Sequence, residues 1–173
     1  MAQTEIRKAT DNDLKDLAVL FDQYRSFYLQ PTDISGAESF LNERLQKKES
    51  VIFVAVTGAV LTGFVQLYPI FSSVRMKRMW LLNDLFVNAA FRGKGISRLL
   101  IHRSKELCRE TGACGLLLET AHDNVPGNHL YQAENFVLQE SQNFYFWQAW
   151  FVKLTDFFLL SMQLRRANFD AFY

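Results

Sequence analysis

An apolar run in the middle of the chain passes through a glycine-rich turn directly into a helical pattern. The segment covers residues 85–98 and reads Leu-Phe-Val-Asn-Ala-Ala-Phe-Arg-Gly-Lys-Gly-Ile-Ser-Arg. The first N–H groups of a helix lack partners within the helix and carry partial positive charge. Glycines beside them let a phosphate reach the backbone, and Arg92, Lys94 and Arg98 add positive charge. The segment therefore predicts either a diphosphate site or a plain strand-to-helix connection that needs glycine only for its turn.

Two familiar phosphate-binding motifs do not match this turn. The P-loop requires G-x-x-x-x-G-K-[ST], and the chain contains no such run. The dinucleotide fingerprint G-x-G-x-x-G requires a third glycine at the position that Arg98 occupies. Neither motif therefore identifies this turn as a phosphate site.

Three blocks of sequence, in order, resemble the Gcn5-related N-acetyltransferases (the GNAT family). Residues 92–97, Arg-Gly-Lys-Gly-Ile-Ser, resemble the family's R/Q-x-x-G-x-G/A signature, and residues 80–87 resemble its central strand. Residues 124–136, Asn-Val-Pro-Gly-Asn-His-Leu-Tyr-Gln-Ala-Glu-Asn-Phe, resemble its N-x-x-[AP]-x-x-[LF]-Y-x-x-x-G-F segment. The resemblance covers residues 4–148. It departs from the family at Ser97 and at Asn135, which replaces a glycine and is a residue that tolerates left-handed backbone.

The resemblance implies an α/β fold with a mixed, mostly antiparallel central sheet and helices on both faces. It implies transfer of the acetyl group of acetyl-CoA to a primary amine of a small molecule, by direct attack in a ternary complex and without a metal. Two other functions stay open: a non-catalytic acyl-CoA sensor, and an N-acetyltransferase of proteins or peptides.

The family's cofactor-binding residues carry over to matching positions. Main-chain groups of Leu85, Phe86 and Val87 would bind the pantetheine arm, with the Val87 N–H also stabilising the oxyanion, and Asn124 would touch the cofactor from the other side. Tyr131 would protonate the leaving sulfur. The diphosphate would be held by the turn and the start of the helix, namely Arg92, Gly93, Lys94, Gly95, Ile96, Ser97 and Arg98.

The general base and the acceptor contacts are less defined. Asp84, beside Asn83 at the end of the central strand, is the first choice for the base, Glu119 is the second, and a water chain is a third possibility. Tyr24 and Tyr28 lie where the family places acceptor contacts, and aromatic faces can hold an ammonium group. The predicted acceptor residues are therefore Tyr24, Tyr28, Asn83, Asp84 and Glu119.

Hydrophobic periodicity predicts the element order β-α-α-β-β-β-α-β-α-β-β. Thr10 and Asp13 predict a capping box at the first helix, Asp33 caps the second, and Gly112 ends the third. The predicted strands cover residues 6–9, 51–56, 61–68, 79–87, 115–120, 137–140 and 144–148, with a fourth helix over 126–133. This order independently implies a mixed sheet with helices on both faces.

Composition predicts one domain without nucleic-acid or membrane partners. The chain has 173 residues and a net charge of +1, and it has no run of about 18 apolar residues. Cys108 and Cys114 match no metal motif and predict reduced core residues, hence a cytoplasmic protein. The spacing of His122 and His129 is not that of a metal site.

The last segment, residues 149–173, is apolar and extends past the family-like region. Its pattern predicts a helix that caps the domain's own sheet or packs on a second subunit as a homodimer contact. An expression artefact or a frameshifted terminus is the remaining alternative.

Overall fold

The computed structural model describes residues 3–147. The predicted helical extension over 149–173 lies outside the described residues. Contacts divide the chain into two units, and the first, Met1–Ser26 with Pro31–Glu119, contains the whole sheet. The second unit is Phe27–Gln30 with Thr120–Tyr173.

The elements follow the predicted order as far as the fourth helix. Strands and helices alternate as β1 (Thr4–Lys8), α1 (Leu14–Phe27), α2 (Ile34–Gln46), β2 (Val51–Thr57), β3 (Val60–Ser72), β4 (Lys77–Val87), α3 (Ile96–Glu110), β5 (Leu116–Leu117) and α4 (Val125–Ala133). Short 3₁₀ turns precede α1 at Asp11–Asp13 and follow β4 at Ala89–Phe91.

The five strands form one sheet in the order β1-β2-β3-β4-β5. The first four are antiparallel neighbours, and β5 alone runs parallel to β4. The mixed, mostly antiparallel sheet predicted from the sequence is therefore confirmed.

The core of the first unit lies between the sheet and the first two helices. Buried side chains from α1, α2, β2 and β3 form one cluster: Leu17, Ala18, Leu20, Phe21, Ala37, Leu41, Ile52, Val54 and Phe64. Side chains on a strand alternate between faces, so Phe53 points away from this cluster. Arg103 of α3 lies over the Phe53 ring at 4.4 Å. Helix α3 therefore covers the opposite face of the sheet.

Local signals in the sequence form as predicted. The Asp33 carboxylate accepts a hydrogen bond from the Gly36 N–H at 2.8 Å and caps α2. Gly112 follows α3 with φ of 61°, the left-handed conformation that glycine adopts without strain. Asn135 also takes a left-handed φ of 61°, as its replacement of a glycine requires.

The two closing strands were predicted wrongly. Residues 137–147 form no strand, and the run from 144 to 147 is exposed although it is aromatic. Strand propensity needs a paired neighbour to take effect, and none of these residues joins the sheet. The strand predicted over 115–120 is likewise shortened to Leu116–Leu117.

Within residues 3–147, no helix is both long enough and apolar enough to cross a lipid bilayer.

Candidate active site

The turn before α3 leaves its backbone uncovered. Gly93 and Gly95 have φ values of 72° and 77°, and a Cβ atom at either position would meet no atom within 4 Å. Gly95 is the N-cap of α3 and has no side chain to cap the helix. The first helical turn, whose N–H groups lack partners within the helix, thus begins beside two glycines with open space around them.

Two of the predicted cations bind the same turn. Arg92 Nε donates a hydrogen bond to the Val87 carbonyl at 3.1 Å, and Lys94 Nζ donates to Ala90 at 3.4 Å. Both side chains are exposed. Their positive charges lie on the loop between β4 and α3, as the sequence predicted.

One edge of β4 is unpaired over its second half. The parallel pairing with β5 joins Trp80 to Leu116 and Leu81 to Leu117, and among the described residues it extends no further. Main-chain groups from Asn83 to Val87 on that edge, apart from the Val87 carbonyl that Arg92 contacts, are therefore available for another extended molecule. The predicted pantetheine-binding residues, Leu85, Phe86 and Val87, lie in this open stretch.

A β-bulge at Asn83 changes which way β4 directs its side chains. Gln66 pairs with Asp84 and Leu67 pairs with Leu82, so Asn83 has no partner on β3. Because Gln66 and Leu67 point to opposite faces, Asp84 and Leu82 also point to opposite faces. The bulge thus places Asp84 on the face that carries α1 and α2.

Asp84 lies almost completely buried on this face, with 4% of its surface exposed. Asn83 Nδ2 donates to both carboxylate oxygens at 3.1 Å, and the Tyr24 side chain also hydrogen-bonds to Asp84. Burial raises the pKa of Asp84, while these hydrogen bonds lower it. A carboxylate with a raised pKa is suited to accept a proton at neutral pH.

Two neighbours of Asp84 on β3 were not predicted. Gln66 is fully buried and is the register partner of Asp84. Burial and the nearby charge of Asp84 raise the pKa of Tyr68 to about 12. The signal in the sequence was one polar residue, Gln66, inside the apolar run from 64 to 67. We call Tyr24, Gln66, Tyr68, Asn83 and Asp84 the Asp84 cluster.

Of the remaining predicted acceptor residues, Tyr24 belongs to this cluster and Glu119 does not. Tyr24 packs edge-on against Phe64 and Phe86, with ring centroids 6.0 and 6.2 Å away, so it is both a core residue and part of the cluster. Glu119 is exposed, beyond the end of β5. Tyr28 belongs to the second unit, where its ring lies 5.2 Å from that of Phe27.

In the second unit, Asn124 organises the start of α4. Its Oδ1 accepts a hydrogen bond from the Gly127 N–H at 3.2 Å, and its Nδ2 donates to Thr120 at 2.8 Å. Asn128, another residue without a predicted role, donates to the Ala121 carbonyl at 3.0 Å. The Asn124 side chain is thus held in place by both of its polar ends.

Tyr131 lies on α4, with its ring 5.7 Å from that of Phe136 in an edge-on arrangement. Burial raises the pKa of Tyr131 to about 12, with a smaller contribution from Tyr28. The phenol is therefore protonated throughout the neutral range and can donate its proton.

No metal-binding cluster occurs in the part of the chain that the structure describes. Cys108 and Cys114 are both free thiols, and burial raises the pKa of Cys108. His122 and His129 are exposed.

Comparisons with known proteins find acetyltransferases. The chain is 45% identical over 131 residues to the uncharacterized N-acetyltransferase YhfO of Bacillus subtilis (strain 168), covering 76% of this chain and 88% of that protein. The crystal structure of a probable acetyltransferase, 35% identical, superposes with a TM-score of 0.81 over 86% of this chain and 99% of the other. An aminoglycoside N-acetyltransferase solved in complex with CoA shares the fold at 20% identity, with a TM-score of 0.72 over 86% of this chain and 97% of that one.

The family profile that matches the chain is that of the Acetyltransferase (GNAT) family, over residues 17–136. This range contains the glycine turn, the open edge of β4, the Asp84 cluster and Tyr131. The chain therefore belongs to the GNAT acetyltransferase family and is an acyltransferase enzyme.

Proposed function

We propose that this acetyltransferase moves the acetyl group of acetyl-CoA to a primary amine of a small molecule. The observation that carries the proposal is the position of Asp84. It lies on β4 immediately before the unpaired stretch that ends at Val87, and the uncovered glycine turn follows on the same loop. One strand thus presents a buried carboxylate and a free backbone edge within a few residues.

The residues present suit the coenzyme. Gly93 and Gly95 leave room for a diphosphate against the start of α3, and Arg92 and Lys94 supply positive charge there. The open edge of β4 offers main-chain groups to the amides of a pantetheine arm. When bound, acetyl-CoA supplies the thioester whose acetyl group is transferred.

Asp84 acts on the acceptor in this proposal. Its carboxylate holds the ammonium group and takes one proton from it, which leaves a neutral amine as the nucleophile. The amine nitrogen bonds to the acetyl carbon, the bond between that carbon and sulfur breaks, and the Val87 N–H stabilises the oxyanion in between. The second proton leaves the nitrogen to water as the amide forms. Direct attack of this kind needs both substrates bound at once.

For Tyr131 the proposal rests on the sequence match and on the protonation state of the phenol. It would give its proton to the leaving sulfur and regain a proton from water. Asn124 is carried over as a cofactor contact on the sequence match alone. A cytoplasmic location and a dimer through residues 149–173 stay predictions from the sequence.

The test is release of free thiol from acetyl-CoA in the presence of candidate acceptors. The panel contains small primary amines, amino acids, aminoglycosides and peptides, and mass spectrometry identifies the acetylated product. We expect one or more small amines to accelerate thiol release, and Asp84→Asn to abolish most of that acceleration. Acetylation of peptides alone would refute the small-molecule assignment, and equal rates for the wild type and Asp84→Asn would refute the role of Asp84.

A further inference from the structure

In the Gln66 side-chain amide, the nitrogen has a hydrogen-bond partner and the oxygen has none among the described residues. Its Nε2 donates to the Ser50 hydroxyl at 2.9 Å. Its Oε1 is buried and accepts no hydrogen bond from any residue in the described part of the chain. A buried carbonyl oxygen without a donor is unfavourable, and such a group in a native protein calls for an explanation.

The register of the sheet supplies the missing donor. Gln66 pairs directly with Asp84 across β3 and β4, so the two side chains leave the same face side by side. An ionised carboxylate cannot donate to an amide oxygen, because both groups are only acceptors. A protonated carboxyl group can donate, because it carries an O–H.

We propose that Gln66 is a positioning residue whose Oε1 accepts a hydrogen bond from Asp84 when Asp84 carries the proton taken from the acceptor amine. The inference deepens the proposed function and rests on it. The proton leaves the ammonium nitrogen, binds one carboxylate oxygen, and is held between that oxygen and Oε1. The electron pair freed on nitrogen is the one that attacks the acetyl carbon, so charge and protons balance.

Of the other polar groups around Asp84, two favour its charged form. Asn83 on β4 and Tyr24 on α1 hydrogen-bond to the carboxylate and lower the pKa of Asp84. From β3, Tyr68 faces Asp84, and the charges of Arg44 and Glu49 also act on Tyr68. A hydrogen bond with the Gln66 side chain lowers the pKa of Tyr68, so in that bond the amide of Gln66 acts as the donor and its Oε1 stays unpaired. Arg44 is itself paired with Glu49 at 2.7 Å.

Gln66 therefore acts on the pKa of Asp84 in the opposite direction to Asn83 and Tyr24. Two donors stabilise the charged carboxylate, and one buried acceptor stabilises the neutral acid. A base that must take a proton and later release it works best when neither state is strongly favoured.

The experiment is a carbon-13 NMR titration of aspartate carboxyl groups in the full-length protein without substrates. Asp84→Asn identifies the resonance of Asp84. Gln66→Met keeps a similar volume but removes the acceptor oxygen, so we expect the pKa of Asp84 to shift downward. Asn83→Ala removes donors to the charged form, so we expect an upward shift. The acid limb of the rate profile against pH moves in the same two directions.

An unchanged or raised pKa of Asp84 in Gln66→Met would overturn the proposal. If that variant does not fold, the side-chain carbonyl resonance of Gln66 in the wild-type protein gives the answer. We expect its chemical shift to change with pH at the pKa of Asp84 and to lose this change in Asp84→Asn. A chemical shift that does not change at the pKa of Asp84 would refute the proposal. Because both titrations need no acceptor, they remain decisive even if no acetylation is found.

Discussion

Gly63 and Val87 are register partners at the end of the β3–β4 ladder, and only a residue without a side chain fits at position 63. A Cβ atom on Gly63 would lie 2.7 Å from the carbonyl oxygen of Phe86 and 3.2 Å from Cγ2 of Val87. The first contact is with backbone, which cannot rotate away. The position of the Val87 N–H therefore depends on the missing side chain across the ladder.

Gly63→Ala is expected to destabilise the protein by about 1–3 kcal/mol, the usual effect of an added methyl group in a packed site. It should also lower kcat, because β4 must move near Val87. Urea unfolding and thiol-release kinetics measure the two effects. Gly115→Ala is the control, since a Cβ there meets nothing within 4 Å. Equal behaviour of the two variants would contradict the close approach.

Gly95→Ala is expected to weaken acetyl-CoA binding about tenfold or more, because a methyl group enters the space proposed for the diphosphate. It should also lose about 1 kcal/mol of stability from the left-handed backbone. Gly58→Ala is matched in strain, because Gly58 has φ of 66° and equally open surroundings, but it lies in the β2–β3 turn. Calorimetry with acetyl-CoA should separate the two variants. The same loss of affinity in both would show that the turn is not part of the cofactor site.

Asp84→Asn is expected to lower kcat/KM by roughly 10²–10⁴-fold, the range for loss of a general base. At neutral pH the same substitution is expected to stabilise the protein although it lowers activity. The folded pKa of Asp84 is raised, so the stability it contributes is present at low pH and is lost as the pH rises through that pKa. Thermal unfolding should therefore find Asp84→Asn increasingly favoured over the wild type from acid to neutral pH. A constant difference would show that Asp84 is not perturbed.

Asp13→Asn should destabilise the protein at neutral pH. The Asp13 carboxylate accepts two hydrogen bonds from Arg7 at 2.7 Å and further bonds from Thr10, which hold the pKa of Asp13 well below its usual range. We expect a loss of about 2 kcal/mol, moderated because Arg7 is one-third exposed.

The loss in Asp13→Asn should shrink as the pH falls below about 4, where the unfolded carboxyl group begins to bind protons. Urea unfolding across this range measures it. Asp11→Asn, on the same turn but exposed, is the control and should change little. A loss of unfolding free energy that does not change with pH would show that the charge of Asp13 does not cause it.

Tyr131→Phe should lower kcat by on the order of 100-fold while leaving the affinity for acetyl-CoA nearly unchanged. Because burial raises the pKa of Tyr131 to about 12, the wild-type rate should show no loss from ionisation of this phenol below about pH 10. Steady-state kinetics against pH and a direct binding titration separate the two quantities. A weakened affinity with unchanged kcat would assign Tyr131 to binding instead.

The features that the sequence predicted well are those encoded by near neighbours. The Asp33 side chain caps α2 by accepting a hydrogen bond from the N–H three residues later. Gly112 ends α3, and Asn135 takes the left-handed conformation of the glycine it replaces. The glycine turn before α3 also needs only adjacent residues. The roles proposed for the site residues within it stay predictions.

The features that the sequence did not predict depend on pairing between distant segments. Nothing local in Gln66 indicates that it will face Asp84, because the register of β3 against β4 decides that. The strands expected over 137–140 and 144–148 failed for the same reason. Their residues favour extended backbone, but no ladder of the sheet includes residues 137–147.

The bulge at Asn83 decides which residues of β4 face α1 and α2. If Asn83 were taken into a regular ladder as the partner of Gln66, every side chain from Asp84 to Val87 would exchange one face of the sheet for the other. Leu85 would then point among the tyrosines, and the acidic group would be buried beneath α3. A chain in that register would keep all of the amino acids of the enzyme and lose the orientation on which its proposed chemistry depends.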